Sequence, residues 1–324
     1  MRGVVIFLTA GLFYPAVILA QEDARRGAFT HEAECVAEND FIFFEDYYYT
    51  AGLDLFYRKL ISPDSKLFNL VAGANKDSTK AIVQYRYGLK MFTPFNIETH
   101  ATQELDRPYA GWNFASVGLS TFRRPDRGNR VELETGLVGR ASGMEQLQLW
   151  VHKITTYDPP EGWDNQIRNE WIVNGYYTHF ENRVLTGRAD IVSQSFVQAG
   201  TGGNKLSQDV TLRLLRFNPI NNSAFTQSRL SWDTKSKKGK EEIFIFAGAG
   251  IDYVISSVFI EGSLFKQNRS PFTVPAVPWV FRRNVGIMYS NPRFSCSAIF
   301  NHLTREVGRG TVHDYASFRL AVRF

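Results

Sequence analysis

Apolar and polar residues alternate, position by position, over much of this chain. In residues 81–91 every odd position is apolar or aromatic, and Gln84, Arg86 and Lys90 occupy alternate positions between them. The last ten residues alternate in the same way and end on Phe324. Because successive side chains of a strand point to opposite faces, each such segment has one apolar and one polar face. The pattern therefore predicts β-strands that separate two unlike environments.

Twelve segments read as strands, an even number, as in the barrels of bacterial outer membranes. They are residues 30–38, 47–58, 81–91, 109–122, 131–139, 171–181, 191–199, 210–217, 243–254, 284–289, 293–301 and 315–324. We predict an all-β fold, a transmembrane antiparallel β-barrel of about 12 strands. A soluble β-sandwich has the same period. We favour the barrel because Tyr, Phe and Trp lie near strand ends, as in the aromatic girdle of a lipid-facing wall.

The composition excludes several other classes. The chain has 324 residues, of which 14% are aromatic, and a net charge of +5; disordered and collagen-like chains differ from this. The positive charge is small and scattered, so no nucleic-acid partner is expected. Residues 1–20 are typical of a secretory signal peptide, with a signal anchor as the alternative, and residues 21–324 would form one barrel domain. No later segment is apolar and long enough for a membrane helix.

The two cysteines, Cys35 and Cys296, have the parity of apolar wall residues. They lie on the first and the penultimate strand, which are not neighbours in a closed barrel. The distance therefore exceeds what a disulfide allows, and we expect two free thiols that point outward. The polar stretches 200–207 and 235–240 are interpreted as loops, and Asn291 with Pro292 as a tight turn.

Oxygen-bearing side chains gather where the first two predicted strands reach one rim of the sheet. Asn39 and Asp40 end the first strand. Thr50 has the parity of Asp54, opposite to Tyr49, which predicts that Thr50 points into the barrel. Carboxylate, amide and hydroxyl oxygens suit Ca²⁺. The same residues are also ordinary turn chemistry at a strand end, so the residues alone leave both interpretations open.

The period changes to that of a helix within residues 140–169. Four apolar residues recur at the spacing of one helix face: Leu147, Trp150, Val151 and Ile154. Gln148 and His152 fall on another face, one turn apart. We predict a short amphipathic helix in an extracellular loop, with its apolar side on the barrel wall and His152 presented to a ligand. A single histidine on a helix is also a common surface residue.

Four motifs in this order resemble the lipid A 3′-O-deacylase family of outer-membrane β-barrels: ENDF with YYYTAGL, DRPYAGW, EQLQLWVHK and GWDNQ. They lie within residues 38–170, and the rest of the chain is similar only in its strand pattern and terminal Phe. The resemblance implies a site at the outer rim of a twelve-stranded barrel, between the wall and a loop helix. It implies Ca²⁺-dependent hydrolysis of the ester that links the 3′-acyloxyacyl group to lipid A, with lipopolysaccharide in the outer membrane as the substrate.

The resemblance implies five catalytic residues by position: Asn39, Asp40, Thr50, His152 and Asp158. Asp40, Thr50 and Asp158 would be the metal ligands. A bound Ca²⁺ would neutralise the charge on the tetrahedral intermediate, and His152 would remove a proton from the attacking water. Asp158 stands where Glu is found in the family, so its carboxylate reaches one methylene less far. Two further departures from the family pattern are Arg140, for Pro, and Met144, for Gly.

Two other functions stay open. A non-catalytic barrel, either a pore or a surface scaffold, would have the same strands. An outer-membrane phospholipase with a Ser-His-Asn arrangement would also cleave esters, but no inward Ser near His152 is recognisable.

For lipid A, the phosphates need cationic partners, and Arg107, Arg140 and Lys153 are candidates by location. The sequence does not indicate an oligomeric state.

Overall fold

The computed structural model describes residues 29–40, 46–75, 78–155, 158–232, 241–264 and 270–324. Within them, twelve antiparallel strands pair in chain order, and the first closes on the last to form a barrel. The strands are β1 His31–Asn39, β2 Tyr48–Leu60, β3 Lys80–Thr93, β4 Ala110–Arg124, β5 Arg127–Val138, β6 Glu170–Thr186, β7 Ala189–Gly200, β8 Gly203–Arg216, β9 Glu242–Ser257, β10 Trp279–Ser290, β11 Phe294–Leu303 and β12 His313–Arg323. Each corresponds to one predicted segment, so the barrel prediction is confirmed.

Three short helices lie between the strands in the described residues: α1 Lys66–Ala72, α2 Met144–Thr155 and α3 Val258–Glu261. None of these is long and apolar enough to cross a membrane. Helix α2 is the predicted loop helix, whereas the sequence analysis did not predict α1. Single 3-10 turns occupy Arg140–Ser142, Gly162–Asn165 and Ile220–Asn222.

The wall separates apolar and polar side chains as the alternation predicts. On β3, Tyr85 and Tyr87 are exposed on the outside, whereas Arg86 points inward and pairs with Asp54 at 2.9 Å. Further inward charges pair between neighbouring strands, including Arg213 of β8 with Asp190 of β7 at 2.6 Å. An apolar outside and a charged, paired inside are expected of a membrane barrel and not of a soluble sandwich.

The two ends of the barrel differ. Between the described strands, three of the five connections at the end that holds the first residue of β1 and the last of β12 are turns of two or three residues, namely 125–126, 187–188 and 291–293, whereas one of the six at the opposite end, 201–202, is that short. The opposite end has longer segments, among them residues 94–109 and 139–169. In bacterial barrels the short turns are periplasmic and the long loops extracellular. Helix α2 therefore lies at the extracellular end, and α1 at the periplasmic end.

Residues 217–232 fold into the periplasmic end of the barrel. Glu242 accepts hydrogen bonds from the backbone N–H groups of Asn218 and Ala224, at 2.9 and 2.8 Å. Arg130 donates to the carbonyl of Thr226 at 3.1 Å and to the side-chain oxygen of Gln227 at 2.8 Å. This end of the barrel is thus filled by the protein's own chain.

Of the two segments interpreted as loops, residues 200–207 and 235–240, the structure describes the first. Residues 200–207 are not a loop, because β7 and β8 are joined by residues 201–202 alone and β8 begins at Gly203. The polar side chains that suggested a loop face the barrel interior, where Lys205 pairs with Asp252 at 3.2 Å. Residues 235–240 and the predicted signal peptide, residues 1–20, lie outside the described residues.

Cys35 and Cys296 are both free, as predicted. Leu320 of β12 lies opposite Cys35 on one side and opposite Cys296 on the other. A whole strand therefore separates the two thiols.

Candidate active site

Helix α2 lies against the outer surface of β3 and β4 at the extracellular rim. Met144, the first residue of α2, packs in one buried cluster with Met91 and Trp163. A Cβ at Gly111 of β4 would overlap the Ser142 hydroxyl and stand 2.6 Å from the Met144 Cβ. The helix therefore reaches the wall by a close approach that a glycine permits.

The face of α2 that meets the wall is not the predicted one. Met144, Gln148 and His152 are buried. The apolar residues turn away from the barrel and are 37% to 47% exposed: Leu147, Trp150, Val151 and Ile154. The prediction that they pack on the wall is wrong. An apolar helix face can point away from the protein here because a helix on the outside of a membrane barrel meets lipid on its outer side.

His152 uses both of its ring nitrogens. Its Nε2 lies 3.0 Å from a carboxylate oxygen of Asp46, and its Nδ1 lies 2.6 Å from the main-chain oxygen of Asp158. Since a carbonyl can only accept, Nδ1 donates, and a carboxylate at Nε2 then favours the imidazolium. The hydrogen bond with Asp46, aided by the Asp158 carbonyl, raises the pKa of His152, although burial opposes the shift.

Asp46 is a site residue that the sequence analysis missed. Gln148 Nε2 lies 3.4 and 3.5 Å from its two carboxylate oxygens. The side-chain oxygen of Gln148 in turn accepts a hydrogen bond from the Trp163 indole at 2.7 Å. Because Gln148 and His152 are one helical turn apart, both reach the same carboxylate. The available signal was a carboxylate directly before the tyrosine motif.

Thr50 also lies near Asp46, on the outside of the wall. Its hydroxyl is 2.7 Å from the hydroxyl of Thr93. On β3, Thr93 has the parity of the exposed Tyr85 and Tyr87, which point outward. The Thr93 hydroxyl also donates to the main-chain carbonyl of Asp46 at 3.4 Å. The prediction that Thr50 points into the barrel is therefore wrong.

A β-bulge explains the reversal of Thr50. The register of β2 and β3 shifts between Tyr48 and Ala51, and Tyr48 has a φ of 61°. Tyr49 takes the inward position, where its hydroxyl hydrogen-bonds the Glu38 carboxylate. An extra residue in a strand reverses the parity of the positions beyond it. Alternation counted from the lower part of β2 therefore fails at Thr50.

Asn39 and Asp40 tie the end of β1 to the start of β2. The Asn39 amide donates to the carbonyl of Thr50 at 3.0 Å. The buried Asp40 carboxylate accepts from the backbone N–H of Tyr47 at 2.9 Å. Together with the contacts of Thr93 and Asp46, these bonds form one connected corner beneath α2.

Asp158 meets this corner through its main chain. Its carbonyl accepts from His152, and the residue itself is exposed. A main-chain contact does not depend on the length of the side chain. The replacement of Glu by Asp at this position is therefore compatible with the observed hold on the imidazole.

The oxygen donors at this corner fit a hard cation in kind. Asp40 offers a carboxylate, and Thr50 and Thr93 offer hydroxyls, which are ligands that Ca²⁺ accepts together with carbonyls and water. Among the residues that the structure describes, no group of three or more His, Cys, Asp or Glu side chains is placed to hold a metal ion. An ion here would therefore depend on neutral oxygens as well as carboxylates.

The three cationic candidates have different environments. Arg107 is buried and pairs with Glu306 at 2.9 Å, so of the three candidates it is the one that is not placed to meet phosphates at the rim. Arg140 is exposed at the rim, at 3.3 Å from both Glu145 and Asp164. Lys153 is exposed on α2.

The fold and the site together define a class of protein. The barrel has an apolar outer wall for lipid, and its imidazole–carboxylate pair lies outside that wall, under a loop helix. This is an outer-membrane barrel with a histidine–carboxylate pair on the outside of its wall, at the extracellular rim. A family model described as outer membrane protein LpxR matches residues 4–324. The chain therefore belongs to the LpxR family, and the membership predicted from the four motifs is confirmed.

One solved structure supports the barrel fold of this chain. LpxR from Salmonella typhimurium superposes with a TM-score of 0.69 at 17% identity, over 90% of this chain and 100% of that chain. The β-domain of the Bordetella autotransporter BrkA gives a TM-score of 0.44 at 9% identity, over 92% and 99% of the two chains. The comparison with curated protein sequences gives no match.

Proposed function

We propose that this protein is a Ca²⁺-dependent lipid A 3′-O-deacylase, which hydrolyses the ester of the 3′-acyloxyacyl group in the outer leaflet. The observation that carries the proposal is the contact of His152 with Asp46, 3.0 Å long and on the outside of the barrel wall. A lipid ester can reach an acid–base pair at this place from the membrane, without entering the barrel. Membership in the LpxR family supports lipid A as the substrate.

The outer face of α2 supports access from the membrane. Its apolar stripe is exposed on the side away from the wall, so α2 can lie among acyl chains at the extracellular leaflet. The acyl chains of lipid A would run along the outer wall, next to this stripe. The sugar phosphates would then lie at the rim, within reach of Arg140 and Lys153.

His152 would hold and move the proton at Nε2. In the observed state Nε2 faces Asp46, whose side chain is 31% exposed, and the proposed mechanism requires this carboxylate to turn away from Nε2. A deprotonated Nε2 then takes the proton of the attacking water and returns it to the leaving alkoxide. The Asp158 carbonyl keeps Nδ1 as the donor throughout, which fixes the tautomer and the plane of the ring.

The remaining site residues would position the reactants. The Asn39 amide and the Thr50 hydroxyl lie at the connected corner and can orient the water or the ester carbonyl. Asp40, Thr50 and Asp158 are the residues that would hold Ca²⁺. When bound, this ion supplies positive charge for the developing oxyanion.

The test is deacylation of purified lipid A by the refolded protein, measured by mass spectrometry. We expect loss of the 3′-acyloxyacyl mass with Ca²⁺ and none with a chelator. His152→Gln should lower turnover by about 10²–10⁴ and leave lipid A binding unchanged. Gln146→Ala, an exposed change on the same helix, is the matched control and should behave as wild type. An active His152→Gln protein would refute the proposed base.

A non-catalytic pore is the weaker alternative. The periplasmic end is filled by residues 217–232, which bond to Glu242 and Arg130. Many inward charges are paired with charges on neighbouring strands, as Arg86 is with Asp54 and Arg213 with Asp190. A pore predicts ion conductance in planar bilayers, and we expect none from the wild-type protein. A serine-directed inhibitor distinguishes the phospholipase, and we expect it to leave deacylation intact.

A further inference from the structure

Helix α1 packs on the outside of the barrel at its periplasmic end. Ser65 caps the helix by accepting from the backbone N–H of Phe68 at 3.1 Å. Phe68 and Ala72 are buried with Ile61 and Ala81, the latter on the outer face of β3. Thus α1 covers the periplasmic end of the outer wall. Tyr85 and Tyr87 lie on the same outer face of β3, closer to the middle of the membrane.

The opposite side of α1 is apolar and uncovered. Leu70 is 81% exposed, the highest value among the large hydrophobic side chains that the structure describes. Leu67, on the same side, is 46% exposed. Since Phe68 and Ala72 face the wall, helical spacing directs Leu70 away from the barrel. This apolar surface continues the lipid-facing surface of β3 and β4.

Three exposed cations surround α1. Lys66 is its first residue, and Lys59 lies beside it on β2, directly opposite Val83, which packs against the α1 cluster. Arg123 on β4 donates to the carbonyl of Val71 at 3.1 Å. The helix therefore has cations on both flanks and at its start, at one level of the barrel.

Trp232 marks the same level. It is 47% exposed, and its indole N–H donates to the carbonyl of Ile61 at 3.4 Å, at the segment that leads into α1. Tryptophan is enriched at the boundary between membrane and water, where its ring is partly among lipids and its N–H is hydrogen-bonded.

We propose that α1 and its flanking cations form a phospholipid-binding surface in the periplasmic leaflet. Leu67 and Leu70 insert among the acyl chains, and Lys59, Lys66 and Arg123 bind the headgroup phosphates. Continuity with the lipid-facing wall argues for lipid as the occupant, and the cations argue for anionic headgroups, which attract basic residues at a membrane surface. This surface is at the opposite end of the barrel from α2 and is independent of the proposed deacylation.

Insertion can be tested with a nitroxide at residue 70. The protein would carry Leu70→Cys in a Cys35→Ala, Cys296→Ala background, in vesicles of phosphatidylethanolamine and phosphatidylglycerol. We expect the label to collide more with oxygen, which dissolves in lipid, than with a water-soluble nickel chelate. Asp64→Cys, exposed in the turn before α1, is the aqueous control and should show the reverse. A label at residue 70 that is as accessible to nickel as the control overturns the insertion.

Headgroup binding can be tested with spin-labelled lipids. Wild-type protein should immobilise spin-labelled phosphatidylglycerol in preference to phosphatidylcholine. The combined change Lys59→Gln, Lys66→Gln and Arg123→Gln should remove most of this preference. Arg305→Gln, an exposed change at the extracellular end, is the matched control and should retain it. Equal selectivity in the wild-type protein and the triple variant overturns the assignment of these cations.

Discussion

The two helices on the outer wall, α1 and α2, differ in the side that they bury. Both turn apolar side chains away from the barrel, Leu70 in α1 and Trp150 in α2. However, α1 buries only apolar residues on the wall, whereas α2 buries Gln148 and His152. Polar groups buried on the lipid side of a barrel carry a large desolvation cost unless they are hydrogen-bonded. Gln148 and His152 are buried under α2 with Asp46 as their common partner. This distinguishes the proposed active site at α2 from the purely apolar packing of α1.

The largest expected effects are a loss of stability for a change in α1 and a loss of turnover for a change in α2. Phe68→Ala in α1 removes a buried aromatic ring and should lower the free energy of unfolding by about 3–5 kcal/mol, with turnover unchanged in the folded fraction. His152→Gln in α2 should lower turnover and leave the free energy of unfolding unchanged. Denaturant unfolding in detergent and lipid A turnover, measured on both variants, check this. Loss of turnover with intact stability in Phe68→Ala would contradict the comparison.

Asp46→Asn should affect both the rate and its pH dependence. Hydrogen bonds to charged groups contribute about 1.5–3 kcal/mol, so a turnover loss of about tenfold to a hundredfold follows. Asp46 raises the pKa of His152, so the neutral ring needed for proton removal forms only above that raised value. Without the carboxylate charge the pKa falls, and the ascending limb of kcat/KM should move to lower pH. A limb that stays in place, or moves to higher pH, would show that Asp46 does not act on His152.

These residues show which parts of the molecule could be predicted from sequence. Strand alternation is local and follows directly from the side-chain period, so all twelve strands were identified. Thr50 was misplaced because a bulge at Tyr48 leaves no mark in the alternation. The buried face of α2 was misassigned because amphipathicity does not tell whether the surroundings are lipid or water. Asp46 was missed because its contact with His152 joins two residues that are far apart in the sequence.

Gly111→Ala should weaken the packing of α2 against β4 without changing any of the proposed catalytic side chains. The added Cβ would collide with Ser142 and stand 2.6 Å from the Met144 Cβ. Overpacking of this kind costs about 1–3 kcal/mol, and we expect a matching loss in kcat as α2 shifts. Gly118→Ala on the same strand is the control, because its nearest neighbour would be 3.4 Å away. Equal activities of the two variants would indicate that α2 does not need this close approach.

The smallest expected effect concerns the lipid side of α2. Trp150→Ser removes an apolar side chain that is 47% exposed and that we place among acyl chains. The chemistry at His152 should be unaffected, so kcat stays constant while KM for lipid A in vesicles rises, by at most about tenfold for a loss of 1.4 kcal/mol. With a short-chain, water-soluble ester the variant and the wild type should be equal. If KM rose equally for both substrates, the stripe would act on the shape of the site rather than on its contact with the membrane.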